Sequence, residues 1–169
     1  MKKIILISDT HGFIPDSFWK YLDDADELWH AGDVGNVELI DKLKEKISVK
    51  GVYGNIDGEV VRKEFKEYRA MIVQGAKILI LHIGGKPYRY SPRMRELILH
   101  YKPEVIVCGH SHILRVEYDK KNKVLFLNPG ALGRQGFHKV KTFLRFTINE
   151  GKISDMEVIE LESRALRVD

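Results

Sequence analysis

Residues 3–11 have the sequence KIILISDTH, in which branched apolar side chains give way abruptly to polar ones. A short apolar run of this kind is typical of a buried strand, so we predict a strand over Lys3–Ser8. Asp9, Thr10 and His11 follow directly at its carboxyl end. Because open α/β sheets bind ligands at that end of their strands, this segment predicts an α/β fold with chemistry at one sheet edge.

The same arrangement recurs along the chain. Four further strands are predicted, and each ends beside a polar side chain: Glu27–Ala31, Ser48–Tyr53, Ala76–His82 and Glu104–Cys108. The polar residues at these ends are Asp33, Asn55, His82, and the pair His110 and His112. A glycine precedes Asp33, Asn55 and His110 and allows the backbone to turn sharply there.

The rest of the chain supplies helices first and strands later. Helices are predicted over Pro15–Leu22, Val37–Lys46 and Ser91–Tyr101, the last with Ser91 as its N-cap and Pro92 in its first turn. A hairpin is predicted between Tyr68–Val73 and Ala76–His82, and four later strands are expected to be antiparallel: Leu114–Tyr118, Val124–Leu127, Thr142–Ile148 and Lys152–Ile159. We therefore expect one domain over residues 1–169, with a mixed sheet or a pair of sheets flanked by helices.

Composition excludes several classes of protein. The 169 residues are 44% hydrophobic and 31% charged, which is ordinary for a globular protein and argues against disorder. The single cysteine, Cys108, excludes an internal disulfide and a C-x-x-C site. The net charge of +4 permits anionic substrates without indicating a dedicated nucleic-acid binder. The short apolar runs predict no membrane span and no signal peptide, so a cytoplasmic location is expected.

The seven polar side chains at the strand ends form a coherent set of metal ligands. Imidazoles, carboxylates and an amide suit borderline to hard metals, and the set exceeds the four ligands of one tetrahedral zinc. It fits two ions that share a bridging carboxylate, a kind of site that clamps a phosphoryl group and activates water. Each short motif is weak by itself, so the combination carries the prediction.

The ordered motifs D-x-H, G-D, G-N, H and G-H-x-H resemble the signature of calcineurin-like metallophosphoesterases, and they span residues 9–112. Asn128-Pro129-Gly130 is similar to a further turn of that family, and the length resembles its small single-domain prokaryotic phosphodiesterase branch. The resemblance implies a four-layer α/β/β/α sandwich of two mixed sheets flanked by helices. It also implies two divalent metal ions, with manganese expected and iron, zinc, nickel or cobalt as alternatives.

The resemblance further implies a role for each candidate residue. One ion would be held by Asp9, His11, Asp33 and His112, and the other by Asp33, Asn55, His82 and His110, with Asp33 as the bridge. His110, Asn55 and Asp33 form the expected catalytic set. The implied mechanism is in-line attack of a metal-bridging hydroxide on phosphorus, without a covalent phospho-enzyme.

The sequence departs from the family pattern in two places. Many relatives have G-N-H-[DE] where this chain has Gly54-Asn55-Ile56-Asp57, and the Ile56 side chain can neither donate nor titrate. Arg134 and His138, in a glycine-flanked loop, are candidate replacements for the missing histidine. In addition, His82 is followed by isoleucine and two glycines where relatives often have H-G-H.

These features predict a metal-dependent phosphoesterase that acts on a small diester, including a nucleotide-derived one, and the resemblance suggests a homodimer. Three alternatives remain at this point: a phosphomonoesterase, a nuclease, and a scaffold protein like the eukaryotic retromer subunit of the same fold. Arg89, Arg93 and Arg95 form either a solvated helix face or a group that steers an anionic substrate, and Tyr88 and Tyr90 are candidates for stacking on a base or for a subunit contact. His30 is expected to lie in the core.

Overall fold

A computed structural model describes residues 1–137 and 140–163. The strands are β1 (Lys2–Ile7), β2 (Glu27–His30), β3 (Ser48–Gly51), β4 (Tyr68–Val73), β5 (Ala76–Leu81), β6 (Gly85–Lys86), β7 (Arg89–Tyr90), β8 (Val105–Val107), β9 (Arg115–Asp119), β10 (Val124–Asn128), β11 (Val140–Asn149) and β12 (Lys152–Ser163). The helices are a 3₁₀ helix over Asp16–Asp24 and the α-helices α1 (Val37–Lys44), α2 (Glu59–Glu64) and α3 (Pro92–Tyr101).

Most of the strands form two five-stranded mixed sheets. The strand order is β12-β11-β1-β2-β3 in the first sheet and β4-β5-β8-β10-β9 in the second, while β6 and β7 pair with each other. Strands β1, β2 and β3 are parallel to one another, as are β5, β8 and β10. The expectation of antiparallel strands near the end of the chain is correct for β11 with β12 and for β9 with β10, but it is wrong for β10 beside β8. Strand β10 is apolar on both faces, as is usual for a strand in the interior of a parallel sheet.

Three apolar layers separate the elements. Because side chains alternate along a strand, Ile4 and Leu6 of β1 enter the layer between the sheets, whereas Ile5 and Ile7 pack beneath α1 and the 3₁₀ helix. On the far side of the second sheet, α3 packs Met94 against the residues of β5 and β8. The structure therefore has four layers, helix–sheet–sheet–helix, which confirms the α/β/β/α sandwich.

The local predictions succeed where the signals are strong. The Ser91 hydroxyl accepts a hydrogen bond from the Met94 amide at 3.1 Å and caps α3, whose first residue is Pro92. Two elements were missed. Helix α2 has only Val61 as a buried residue, so its sequence carries almost no apolar period. The β6–β7 hairpin has strands of two residues each, which are too short to show an alternating pattern.

The parallel strands determine where the candidate metal ligands lie. The polar residues that follow β1, β2 and β3 extend from the carboxyl edge of the first sheet, and those that follow β5 and β8 extend from the corresponding edge of the second. The two edges face each other, since His82 after β5 lies 3.2 Å from Asp33 after β2. Within the described ranges, no helix is both long and apolar enough to cross a membrane.

Candidate metal centre

All seven predicted ligands come together at this edge. Their donor atoms form two neighbouring groups, one of Asp9, His11 and His112 and the other of Asp33, His82 and His110, and the donor atoms of each group lie within 4.8 Å of one another. Asn55 joins the second group, because its Oδ1 lies 3.1 Å from Nε2 of His82 and 3.0 Å from Nδ1 of His110. The two groups contain the residues that the family resemblance assigns to the two ions, and that assignment stays a prediction.

The Asp9 carboxylate has one oxygen fixed by the protein and one directed into the site. Its Oδ2 accepts hydrogen bonds from the Ser8 hydroxyl at 2.6 Å and from the His110 amide at 3.1 Å. Its Oδ1 lies 3.1 Å from Nε2 of His112, yet this buried oxygen makes no hydrogen bond within the described part of the chain. The carboxylate is therefore oriented from behind, and its other oxygen is available to a cation.

The Asp33 carboxylate has the same asymmetry. Its Oδ1 accepts a hydrogen bond from the Ile56 amide at 3.1 Å. Its Oδ2 lies 3.6 Å from Nε2 of His11 in one group and 3.2 Å from Nε2 of His82 in the other. This oxygen thus lies between the two groups, which is the position a bridging ligand requires.

The His82 ring is oriented by a backbone carbonyl. Its Nδ1 donates a hydrogen bond to the Ala31 oxygen at 2.7 Å, so Nε2 is the nitrogen that faces Asp33 and Asn55. A hydrogen bond of this kind commonly fixes the tautomer of a metal-binding histidine. Gly32 makes room for the ring, since a β-carbon at that position would overlap it.

Strained backbone conformations concentrate at the site. Five residues of the two groups adopt positive φ angles of 47–69°: Asp9, His11, Asp33, His110 and His112. Such conformations cost free energy for residues other than glycine, and they persist only where the surrounding structure enforces them. The chain therefore tolerates strain in order to direct these side chains inward.

Asp57 is a structural residue of the site that the sequence analysis overlooked. It is 3% exposed, and its carboxylate accepts three backbone hydrogen bonds, from Gly54 at 2.8 Å, Gly35 at 2.9 Å and Val34 at 3.1 Å. It thereby joins the loop that follows Asp33 to the loop that contains Asn55. An aspartate shortly after a glycine at a strand end is a common turn signal, and that signal could have identified it.

His30 supports the site from the core, as expected. Its Nδ1 accepts a hydrogen bond from the Gly32 amide, so its Nε2 donates to the Thr10 hydroxyl, which in turn donates to the Val34 oxygen. Complete burial lowers the pKa of His30 to about 4, so the ring is neutral near pH 7. This chain of hydrogen bonds connects the loops that follow β1 and β2.

The charged groups of the site stabilise one another. Burial alone would raise the pKa of Asp9, but the imidazoles of His112 and His82 outweigh it, and the pKa lies below its ordinary value. The pKa of Asp33 is lowered in the same way, since His82 and the Ile56 amide outweigh the effect of burial.

The imidazoles of His82 and His112 show the opposite shift. The Asp9 carboxylate raises the pKa of His112 against the opposing effect of burial. Burial also opposes a raised pKa for His82, but the carboxylates of Asp33 and Asp9 outweigh it. Without a metal, the protonated forms of His82 and His112 are therefore favoured beside the carboxylates. A divalent cation would displace those protons, because metal ligands must be deprotonated.

The donor set fits divalent metal ions. Asp9 Oδ1 and His11 Nε2 are buried atoms that lack hydrogen bonds within residues 1–137 and 140–163. Buried polar atoms are normally satisfied, and two ligand atoms of this kind at one site fit a centre that holds a cation. Oxygen and nitrogen ligands without thiolate suit manganese, iron, zinc, cobalt and nickel.

The structure describes only one of the two candidate replacements for the histidine that is absent at position 56. Ile56 itself is 46% exposed beside Asp33 and presents an apolar side chain at the family's histidine position. The Arg134 guanidinium stacks on the Phe13 ring at 3.6 Å. His138 lies outside the described residues. A phosphate-binding or proton-donating role for Arg134 or His138 stays a prediction.

Two cavities flank the second ligand group. One, of about 360 Å³, is bordered by His110. The other, of about 440 Å³, is bordered by Asn55 and His82. Both volumes fall within the range of roughly 300–1,000 Å³ that is usual for small-molecule sites.

Known proteins resemble this chain in both sequence and fold. The model of the calcineurin-like phosphoesterase superfamily domain matches residues 1–151. A probable metallophosphoesterase of Methanocaldococcus jannaschii is 31% identical over 134 residues, which cover 75% of this chain and 66% of the relative, just under two thirds of its length.

Solved structures show the same architecture. A single mutant of Vps29 from Entamoeba histolytica superimposes with a TM-score of 0.72 at 20% identity and covers 95% of this chain and 99% of its own. A structure described as a novel archaeal phosphodiesterase gives a TM-score of 0.70 at 21% identity, with 94% and 99% of the two chains covered. At these identities the two structures support the fold, and the sequence match supplies the family. The chain belongs to the calcineurin-like phosphoesterase superfamily.

Proposed function

We propose that this protein is a phosphodiesterase that works with two divalent metal ions. One observation carries the proposal: Asp33 Oδ2 lies 3.6 Å from His11 Nε2 and 3.2 Å from His82 Nε2, between two groups of ligand atoms. A single ion would need only one group, whereas two ions with a shared carboxylate use both. The family supports metal-dependent phosphoester hydrolysis as the general activity.

The residues divide between the two ions. Asp9, His11 and His112 would hold the first ion and Asn55, His82 and His110 the second, with Asp33 shared. Manganese is the first ion to test, since the carboxylate and carbonyl oxygens of Asp9, Asp33 and Asn55 suit it. When bound, two such ions polarise the phosphate and activate water near neutral pH.

The protein's own groups fix this geometry. Asp33 is oriented by the Ile56 amide, His82 by the Ala31 carbonyl, and Asn55 bridges the rings of His82 and His110 through its oxygen. His110 is exposed beside a cavity, so it is the ligand that also contacts substrate. With isoleucine at position 56, proton donation to the leaving group must come from elsewhere, and esters with good leaving groups should react fastest.

The space around the site supports a diester as substrate. A phosphodiester carries two ester groups, and two cavities border the second ligand group, one at His110 and the other at Asn55 and His82. A monoester would occupy only one of them. An archaeal phosphodiesterase shares the fold, which is consistent with diester hydrolysis on this scaffold.

The test compares bis-p-nitrophenyl phosphate with p-nitrophenyl phosphate, each with Mn²⁺ and with chelator. We expect metal-dependent hydrolysis that is faster for the diester. Asp33→Asn should reduce it by more than about 100-fold, because even loss of a residue behind the ligands commonly costs about 10–100-fold. Asp41→Asn makes the same chemical change on the exposed face of α1 and should have no effect.

Each alternative has its own outcome. Faster hydrolysis of the monoester would identify a phosphatase. No hydrolysis of either ester by protein that binds Mn²⁺ would favour a scaffold function. Full activity of Asp33→Asn would refute the shared carboxylate.

A further inference from the structure

The cavity beside His110 is strongly basic. Lys86, Arg89 and Arg115 line it, and no carboxylate belongs to its lining. Within the described part of the chain, Lys86 and Arg89 form no ion pair, and Arg115 lies 3.4 Å from Glu117. Two of the three cations are therefore available to an anion in the cavity.

The β6–β7 hairpin holds two of these cations in an unfavourable arrangement. Lys86 and Arg89 are direct cross-strand partners, and both are exposed. Like charges directly opposite each other destabilise a strand pair, and a hairpin of two residues per strand has little else to offset the cost. An anion bound between them would remove the repulsion.

The second cavity lacks this excess of positive charge. Its Arg93 donates two hydrogen bonds to Glu67, at 3.1 and 2.9 Å, and a third to Glu96 at 3.0 Å. Arg95 points elsewhere and donates to the Tyr90 oxygen. The predicted group of three arginines is thus divided, and only Arg89 is positioned to contact an anion in a cavity at the metal centre.

The basic cavity also has apolar walls. Ile83 and Ile113 are 43% and 59% exposed at its rim, and the buried ring of Phe126 contributes to its lining. Gly84 and Gly109 also line the cavity. Tyr90, which sequence analysis offered as a stacking group, is instead buried and donates to Asp119 at 2.8 Å. A ring packed against the isoleucines would lie in the same cavity as His110 and the cations.

We propose that this cavity binds one of the two ester groups of the substrate, and that this ester group contains a ring and a further phosphate. Its ring would lie against Ile83 and Ile113, and its phosphate would lie between Lys86 and Arg89. The substrate class is therefore a small phosphodiester with a second, non-scissile phosphate, such as a phosphorylated nucleoside ester. This inference rests on the proposed phosphodiesterase function for its catalytic consequence, but binding in the cavity can be measured separately.

The kinetic experiment uses two esters that differ by one group. The p-nitrophenyl ester of thymidine 5′-phosphate is compared with the same compound bearing a 3′-phosphate, so the scissile bond and the leaving group are identical. We expect kcat/KM for the 3′-phosphorylated ester to be at least about tenfold higher, as two charged hydrogen-bond donors warrant. In Arg89→Gln this ratio should fall about tenfold, whereas Lys46→Gln, which removes an exposed charge beyond α1, should preserve it.

The binding experiment needs no catalysis. Calorimetry in chelator compares thymidine 3′,5′-bisphosphate with thymidine 5′-phosphate on the metal-free full-length chain. The bisphosphate should bind at least about tenfold more tightly, and Arg89→Gln should abolish most of the difference. Thermal unfolding of each variant verifies that it is folded.

The outcomes separate the two proposals. If both esters are hydrolysed at equal kcat/KM, the cavity inference is overturned while the phosphodiesterase proposal stands. If neither ester is hydrolysed but the bisphosphate binds in an Arg89-dependent manner, the cavity inference stands and the proposed function fails. Equal binding of the two nucleotides, or tighter bisphosphate binding that Arg89→Gln leaves unchanged, overturns the cavity inference.

Discussion

Replacing Asp57 by asparagine tests how the loops that carry Asp33 and Asn55 are held together. The Asp57 carboxylate is buried and accepts hydrogen bonds from three backbone amides. In asparagine, the oxygen can still serve Gly54 and Val34, which share Oδ2, but an NH₂ group replaces the oxygen that accepts from Gly35. One charged hydrogen bond is lost, and the other two become neutral.

The magnitude follows from these three bonds. A hydrogen bond to a charged group contributes about 1.5–3 kcal/mol and a neutral one about 1 kcal/mol, so the total cost is at least about 3 kcal/mol. For a domain of this size that corresponds to a fall in Tm of about 6–12 °C. Asp33 and Asn55 should also be less well positioned, and Mn²⁺ affinity should fall about 10–100-fold, as for residues that orient metal ligands.

Differential scanning calorimetry measures the first effect, and isothermal titration with Mn²⁺ measures the second. Asp41→Asn is the matched control, because Asp41 is exposed on α1 and a surface change of this kind alters stability by less than about 0.5 kcal/mol. If Asp57→Asn had the Tm and the Mn²⁺ affinity of the control, Asp57 would not fix the two loops.

Two further predictions concern the same centre. Gly54→Ala should lower Mn²⁺ affinity and stability, since the added β-carbon would overlap the Asp33 carboxylate and amide. Gly58→Ala is the control in the same loop, because a β-carbon there meets nothing within 4 Å. This variant should bind Mn²⁺ normally in the same titration. The pKa values of His82 and His112 are raised above the ordinary histidine value of 6.5, so protonation of these rings stabilises the folded metal-free protein at pH values below 6.5. This stabilisation is lost as the pH rises through the raised pKa values. Thermal unfolding in chelator should therefore give a higher Tm near pH 6.5 than near pH 9, while the increase in Tm caused by Mn²⁺ should be larger near pH 9; a Tm in chelator that is equal at both pH values would contradict the shifts.

Strong local signals in the sequence predicted much of the fold. The apolar run before Asp9 is long enough to form a strand and ends sharply, and the Ser91-Pro92 pair fixes the start of α3. Helix α2 escaped prediction because one buried valine provides no period. The parallel pairing of β10 with β8 was not predicted because alternation of apolar residues does not encode the neighbouring strand. The resemblance to a family supplied the four-layer arrangement that such patterns leave open.

The sequence by itself determined which residues form the candidate metal centre, because a polar side chain just after an apolar strand is a local feature. Only the tertiary structure decided how those side chains face one another. It placed Asp33 Oδ2 between His11 and His82, and it set Lys86 across from Arg89. The physical reason is that strand order and register bring together residues far apart in the chain, and no local pattern specifies those distances.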